Sequence, residues 1–253
     1  MLPRLIFKYK PITSLVDLQR VIDIIKNNKL FIPNRTELND PLEGQGFRYC
    51  PGYAGCSMYI ENDLEDPVVK EILNRYRILS LSANGFSPQL WAHYANTYSG
   101  ICFCYRTDKS FNKIQKVIYS AQKQDFLIMD KSFGDLSMYF LNKEKGWDYE
   151  EEWRIVRKST GEDKSNFFNY DSEDLACVII GNQMDSTILE ILLKYIPKNV
   201  PVLKAKPGYE SYKTIILPID YEYQNDGSKV DGIYDVNDLV EYLERENKYN
   251  NAL

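Results

Sequence analysis

The sequence predicts an α+β fold in a single domain, with a mixed, mainly antiparallel sheet flanked by helices. Short apolar runs with strand spacing are numerous along the 253 residues. Helical segments separate these runs at uneven intervals, unlike the regular alternation of a parallel α/β sheet. A chain of this length buries a substantial core. We therefore expect one domain over residues 1–253, with a catalytic-like core over residues 4–220.

The N-terminal half starts with a strand and a helix. Ser14 is a good N-cap, and the apolar residues that follow it recur at helical spacing. Pro88 suits the first turn of a helix, where no amide hydrogen is needed. The predicted elements are a strand at 4–10, a helix from Ser14, a strand at 30–33, a helix at 65–76, a strand at 77–82, a helix from Pro88, and strands at 100–105 and 116–119.

The C-terminal half carries the most buried strand that the sequence predicts. Residues 175–180 are continuously apolar, which is typical of a strand covered on both faces. Residues 120–145 are predicted as mostly helix, with a break near Gly134. The remaining predicted elements are a helix at 186–195, strands at 200–203 and 214–217, and a C-terminal helix at 236–246.

Composition excludes several classes of protein. A net charge of -5 argues against a broad surface that grips nucleic-acid phosphates. No apolar run approaches the length of a secretory signal or of a membrane helix. The five cysteines are odd in number and unevenly spaced, which favours free thiols, a cytoplasmic location and no metal site.

Three consecutive carboxylates, Glu150, Glu151 and Glu152, follow Trp147 and Tyr149 and precede an apolar run. If residues 153–157 form a strand, Glu150 and Glu152 face one side and Glu151 the other. Neighbouring rings reduce hydration and a like charge adds repulsion, so a raised carboxyl pKa is expected. The alternative is a strand entry with solvated glutamates and aromatic rings that close the core.

Four polar patches are candidates for one cleft, because strand ends often meet at one edge of a sheet. Lys8 and Lys10 share a strand face and suit a phosphate, although exposed edge lysines are equally ordinary. His93 is the only histidine, so any histidine-dependent nucleophile would need it; the alternative is a structural role on its helix. The patches are Lys8 to Lys10, residues 39–43, Ser80 and Ser82 with residues 91–94, and residues 149–154.

Standard nucleotide motifs are missing from the sequence. Gly44-Gln-Gly46 is too short for a dinucleotide fingerprint, and no Gly-Lys-Ser/Thr phosphate loop occurs. Glu152-Trp-Arg154 loosely resembles the acid spacing of metal-dependent nucleases. In that alternative Asp40, Glu43, Glu150 and Glu152 supply the acidic side chains.

An ordered set of motifs resembles a widespread bacterial family that is known only as a domain of unknown function. The similarity covers roughly residues 4–220, and its ordered motifs are specific to the family. The motifs are Tyr9, Asn39-Asp-Pro-Leu-Glu43, Leu79-Ser-Leu-Ser82, Trp91-Ala-His-Tyr-Ala95, Gly100-Ile-Cys-Phe103, Trp147-x-Tyr-Glu-x-Glu-Trp-Arg154 and Ile179-Ile-Gly181.

The same order is similar, more remotely, to the ADP-ribosyltransferase fold. The resemblance implies an enzyme that uses NAD as a substrate, with a protein or nucleic-acid acceptor, and a role as a toxin or phage-defence effector. It implies that Glu152 is the catalytic carboxylate, with Glu150 beside it, and that Tyr94 is a stacking ring. Ser80 and Ser82 would supply hydroxyls that orient the substrate, and Arg154 would pair with Glu152 or with a pyrophosphate. Tyr9 and Lys8 would lie on the first strand, where Lys8 would contact a phosphate.

That chemistry is physically coherent. Cleavage of the bond between nicotinamide and ribose builds positive charge on the sugar, which a carboxylate stabilises. Besides the nuclease, a further alternative is a non-catalytic module that senses a nucleotide or a peptide.

Overall fold

The computed structural model describes residues 1–40, 47–49, 71, 73–122, 126–128, 137–159, 165–208, 212–219 and 232–250. The fold is α+β with a large mixed, mainly antiparallel sheet and a few helices, as the sequence predicts. The chain divides into two compact units. Unit 1 consists of Met1–Lys29, Leu81–Lys113 and Asn169–Leu253, and unit 2 of Leu30–Ser80 and Ile114–Phe168. A single domain over residues 1–253 stays a prediction.

The elements are numbered in chain order. The strands are β1 (Leu5–Lys10), β2 (Lys29–Phe31), β3 (Phe47–Tyr49), β4 (Tyr76–Ser82), β5 (Ile101–Arg106), β6 (Gln115–Lys116), β7 (Ile118–Ser120), β8 (Phe126–Ile128), β9 (Asn142–Glu144), β10 (Glu152–Lys158), β11 (Phe167–Asn169), β12 (Leu175–Gly181), β13 (Val202–Pro207) and β14 (Thr214–Pro218). The α-helices are α1 (Leu15–Asn27), α2 (Pro88–Tyr94), α3 (Ser186–Leu193) and α4 (Val236–Asn250). Short 3₁₀ helices occupy Arg35–Glu37, Ser137–Leu141, Lys145–Glu150 and Ser172–Asp174.

Side-chain caps determine where the two N-terminal helices start. The Ser14 side chain accepts a hydrogen bond from the amide of Asp17 at the start of α1. At α2 the Ser87 side chain accepts from the Leu90 amide, and Pro88 occupies the first turn. Both caps satisfy amides that the helix itself leaves without a partner. The helix starts predicted from Ser14 and Pro88 are therefore confirmed.

Unit 1 is built on five neighbouring strands in the order β14-β13-β12-β5-β1. Strands β12 and β13 run parallel, and the other neighbouring pairs run antiparallel. Every residue of β12 is buried, which agrees with the continuous apolar run in the sequence. The predicted buried strand is confirmed.

A left-handed turn follows α2 in unit 1. Asn96, Thr97 and Tyr98 have φ values of 44°, 50° and 62°. Three consecutive positive values are costly, especially for the β-branched Thr97. A Cβ atom on Gly181 would lie 2.0 Å from the Tyr98 carbonyl oxygen. The close approach of the turn explains why the Ile179-Ile-Gly181 motif ends in glycine.

Unit 2 contains the strand order β4-β10-β6, to which β4 contributes residues 76–80, together with short two-stranded pairs. The prediction of mostly helix over residues 120–145 is wrong in the described part of that range, which contains β8, a 3₁₀ helix and β9. Pairing of β9 with β7 overrides the local helix tendency. The predicted helix at 65–76 lies largely outside the described residues.

The described cysteines Cys102, Cys104 and Cys177 are free and buried in unit 1. Burial raises the pKa of the Cys102 and Cys104 thiols well above the ordinary value. Buried thiols with raised pKa values are poor nucleophiles, so Cys102 and Cys104 are core residues. Cys50 and Cys56 lie outside the described residues. Within the described helices, none has the length and apolar character needed to cross a membrane.

Candidate functional site

The backbone at Glu151 brings Glu150 and Glu152 to the same side. A 3₁₀ helix ends at Glu150, and Glu151 adopts a left-handed conformation with φ 45° and ψ 48°. Glu152 then begins β10. Glu150 and Glu152 are buried and Glu151 is exposed. The predicted separation of Glu151 from its neighbours is confirmed, but a left-handed residue produces it and strand alternation does not.

Arg154 donates two hydrogen bonds to the Glu152 carboxylate, one to each oxygen. Its Nε donates to Glu152 Oε1 at 2.7 Å, and its Nη2 donates to Oε2 at 3.0 Å. The third nitrogen, Nη1, donates to the Phe140 carbonyl at 2.6 Å. Only 1% of the Arg154 side chain is exposed. Bidentate pairs of this kind are strong and fix the orientation of the carboxylate.

Lys143 on β9 bridges the two carboxylates. Its Nζ lies 2.5 Å from Glu150 Oε2 and 3.1 Å from Glu152 Oε2. The ammonium also sits 4.7 Å from the centroid of the Trp147 ring. All four charged side chains of this cluster are at most 7% exposed. Two cations and two carboxylates therefore share one buried site, and their formal charges cancel.

The pKa of Glu152 moves in the direction opposite to the predicted one. Burial raises the pKa, but the charges of Arg154 and Lys143 outweigh burial and lower the pKa from 4.5 to about 2. The predicted rise in the pKa took account of the neighbouring rings and of the second carboxylate. It did not include the two cations, whose charges favour the ionised form. Lys143 shows the complementary effect: burial lowers its pKa, and Glu152 and Glu150 raise it above the usual value.

Two hydroxyl groups complete the surroundings of Glu152. The Tyr119 hydroxyl accepts a hydrogen bond of 2.8 Å from the Glu152 amide. The half-buried Ser80 hydroxyl donates to the Glu152 carboxylate. Arg154 and Lys143 supply three further donors to this carboxylate. Ser80 is the neutral and more exposed member of this set of donors.

The sequence analysis does not predict that Lys143, Tyr119 and the Phe140 carbonyl belong to this site. The helix predicted over residues 120–145 obscures Lys143, because it does not bring this residue to the carboxylates. The available signal is its position seven residues before Glu150, in a segment that leads directly into the aromatic and acidic run. The alternative in which Arg154 forms a salt bridge with Glu152 is confirmed by the geometry.

Tyr9 and Ser82 lie together in unit 1. The Tyr9 hydroxyl donates to the Asn84 carbonyl at 2.8 Å, and Ser82 Oγ accepts from the Asn84 amide at 2.9 Å. The Tyr9 ring meets Trp91 edge-on, with a centroid distance of 5.3 Å. Tyr9 and Ser82 are buried and help to shape the loop that follows β4.

Lys8 and Tyr94 are more accessible residues of unit 1. Lys8 is half-buried, pairs with Phe103 of β5, and faces the opposite side of β1 from Tyr9 because strand side chains alternate. Tyr94 is half-buried at the end of α2, and its ring centroid lies 6.4 Å from that of the exposed His93. The nucleotide-binding roles of these residues stay predictions.

The acids of the nuclease alternative do not form a metal site in the described part of the chain. Among those residues, no group of three or more His, Cys, Asp or Glu side chains is arranged to hold a metal ion. Asp40 is buried, whereas Glu43 lies outside the described residues. Glu150 and Glu152 are instead occupied by Lys143 and Arg154.

Comparison with protein families gives a match over part of the chain. A family model described as "Protein of unknown function (DUF2971)" matches residues 90–155, which run from α2 to β10 and include all four charged residues of the cluster. This match supports the similarity to a family of unknown function. No curated protein and no solved structure matches the chain.

Proposed function

We propose that this chain is an NAD-using enzyme of the ADP-ribosyltransferase class, with a toxin or phage-defence role as its biological setting. The contact between Ser80 and Glu152 carries the proposal. The resemblance assigns a serine of a middle strand and a glutamate of a later strand to one site. Strands β4 and β10 are neighbours in the sheet, and these two side chains are hydrogen-bonded.

The charge state of Glu152 suits this chemistry. With a pKa of about 2, the side chain is ionised throughout the physiological range. A fixed negative charge stabilises the positive sugar that forms as nicotinamide leaves. The same low pKa makes Glu152 a poor proton donor, so its role is electrostatic stabilisation rather than general acid catalysis.

In this proposal the substrate must bind to the Glu152 carboxylate, which already accepts hydrogen bonds from protein groups. Three of these contacts come from the buried cations Arg154 and Lys143, and the fourth comes from the half-buried Ser80. A hydrogen bond from a neutral donor is weaker than one from a charged donor. In our proposal a ribose hydroxyl takes the position of the Ser80 hydroxyl, and Ser80 then orients the bound ligand.

The test is incubation of the purified protein with NAD. We expect release of nicotinamide, or transfer of labelled ADP-ribose when protein, DNA or RNA is added as acceptor. Glu152→Gln should abolish turnover, because it removes the negative charge that stabilises the oxocarbenium-like sugar. The rate of nicotinamide release is measured by chromatography.

The adjacent Glu151→Gln variant is the matched control. Glu151 is an exposed carboxylate next to Glu152, so its replacement should leave turnover at the wild-type rate. Thermal unfolding of each variant shows whether lost activity reflects lost folding. Absence of NAD turnover by the folded wild-type protein with every acceptor class would remove the proposal.

The complete pairing of the buried charges favours a second candidate, a non-catalytic module that senses a nucleotide or peptide. Buried ion pairs whose charges cancel often have a structural role. Titration calorimetry with NAD separates the two candidates. Binding without any release of nicotinamide supports the sensing module, whereas binding with turnover supports the enzyme.

A further inference from the structure

Lys143 is the residue that joins the two carboxylates of the cluster. Its ammonium contacts Glu150 Oε2 and Glu152 Oε2, and the Trp147 ring lies against it. Only 3% of its side chain is exposed. Arg154 contacts Glu152 and the Phe140 carbonyl, so both cations bind the Glu152 carboxylate.

We propose that Lys143 is a positioning residue of the proposed NAD site, which fixes Glu152 Oε2 in place while neutralising Glu150. This inference rests on the proposed function. Without Lys143, Arg154 alone faces two buried carboxylates, and Oε2 loses the contact that restrains it on the side of Glu150. A carboxylate displaced by about 1 Å from its productive position loses on the order of 100-fold in rate.

The other titratable groups around the cluster determine its net charge. Burial, and the charges of Glu152 and Glu150, raise the pKa of Tyr119 far above neutrality. Burial and then the charge of Glu150 raise the pKa of Tyr149. Both phenols are therefore neutral at pH 7, and Arg154 keeps its proton. Removal of the Lys143 charge therefore leaves the cluster with one excess negative charge.

A compensating double variant separates charge balance from positioning. Lys143→Met leaves one excess negative charge, whereas Lys143→Met combined with Glu150→Gln restores a neutral cluster with the Arg154–Glu152 pair intact. We expect the double variant to recover most of the unfolding free energy that Lys143→Met loses. We also expect its kcat for NAD to lie about 100-fold below that of Glu150→Gln alone, with KM unchanged.

A purely structural Lys143 gives a different result. In that case the double variant turns over NAD with the kcat of Glu150→Gln, which would overturn the proposal. Lys145→Met provides the control, because Lys145 is an exposed lysine two residues away and its loss should change neither stability nor kcat.

A readout that is independent of turnover separates this inference from the proposed function. The carboxyl carbon of Glu152 is followed by ¹³C NMR as the pH changes. Lys143→Met should raise the pKa of Glu152, because a nearby positive charge has been removed. An unchanged titration of Glu152 in the variant would overturn the inference that Lys143 positions this carboxylate. Inactivity of the wild-type protein, together with a raised pKa in the variant, would instead reject only the NAD-dependent function and the catalytic part of this inference.

Discussion

Replacement of Arg154 by methionine is expected to destabilise the protein by about 3–5 kcal/mol, the usual cost of breaking a buried ion pair. The substitution removes both hydrogen bonds to the Glu152 carboxylate and leaves one excess buried negative charge. It also removes the donor to the Phe140 carbonyl. Urea unfolding at pH 7 measures the loss of unfolding free energy.

An exposed arginine provides the comparison for this prediction. Arg4 pairs with Glu244, and both side chains are more than half exposed. Arg4→Met should therefore cost at most about 1 kcal/mol, because water screens a surface pair. Combining Arg154→Met with Glu152→Met leaves the neutral Lys143–Glu150 pair and should recover much of the loss. If Arg154→Met costs no more than Arg4→Met, the cluster does not stabilise the fold in the way described.

The second large effect is a loss of stability in acid. The pKa of Glu152 in the folded protein is about 2, below its ordinary value of 4.5, so its contribution is fully present above pH 4.5 and is lost as the pH falls toward 2. This difference corresponds to roughly 3 kcal/mol of unfolding free energy. Urea unfolding at several pH values between 7 and 2 measures the slope.

Variants of the acidic run isolate the contribution of Glu152 to this slope. Glu152→Gln should be less stable at pH 7, yet lose less further stability between pH 4.5 and 2 than the wild type. Glu151→Gln should follow the wild-type curve, because its side chain is exposed. Equal acid slopes for Glu152→Gln and the wild type would show that Glu152 is not held ionised by folding.

Local sequence signals predicted much of the fold. Ser14 and Pro88 are chemical start signals, and both helices begin where these residues indicate. The continuous apolar run of β12 needs no tertiary information either. The helix prediction over residues 120–145 was wrong because β9 forms by pairing with β7. Local sequence propensity does not contain this long-range pairing.

Only the part of the site that depends on local sequence could be predicted. The spacing of Glu150 and Glu152 identified the acidic pair, and Arg154 was recognised as a potential partner. Lys143 was missed because strand pairing, rather than local sequence, brings it to the carboxylates. The direction of the Glu152 pKa shift depends on that missing charge, so it was wrong as well.

The most direct test of the account is the ionisation of Glu152 in the wild-type protein. ¹³C NMR of its carboxyl carbon, recorded from pH 7 down to the acid unfolding transition, reports the protonation state at this residue. The account predicts an ionised signal that stays constant down to at least pH 4, consistent with a pKa of about 2. A titration midpoint at or above 4.5 would contradict the account, because Lys143 and Arg154 would then not hold Glu152 as a carboxylate.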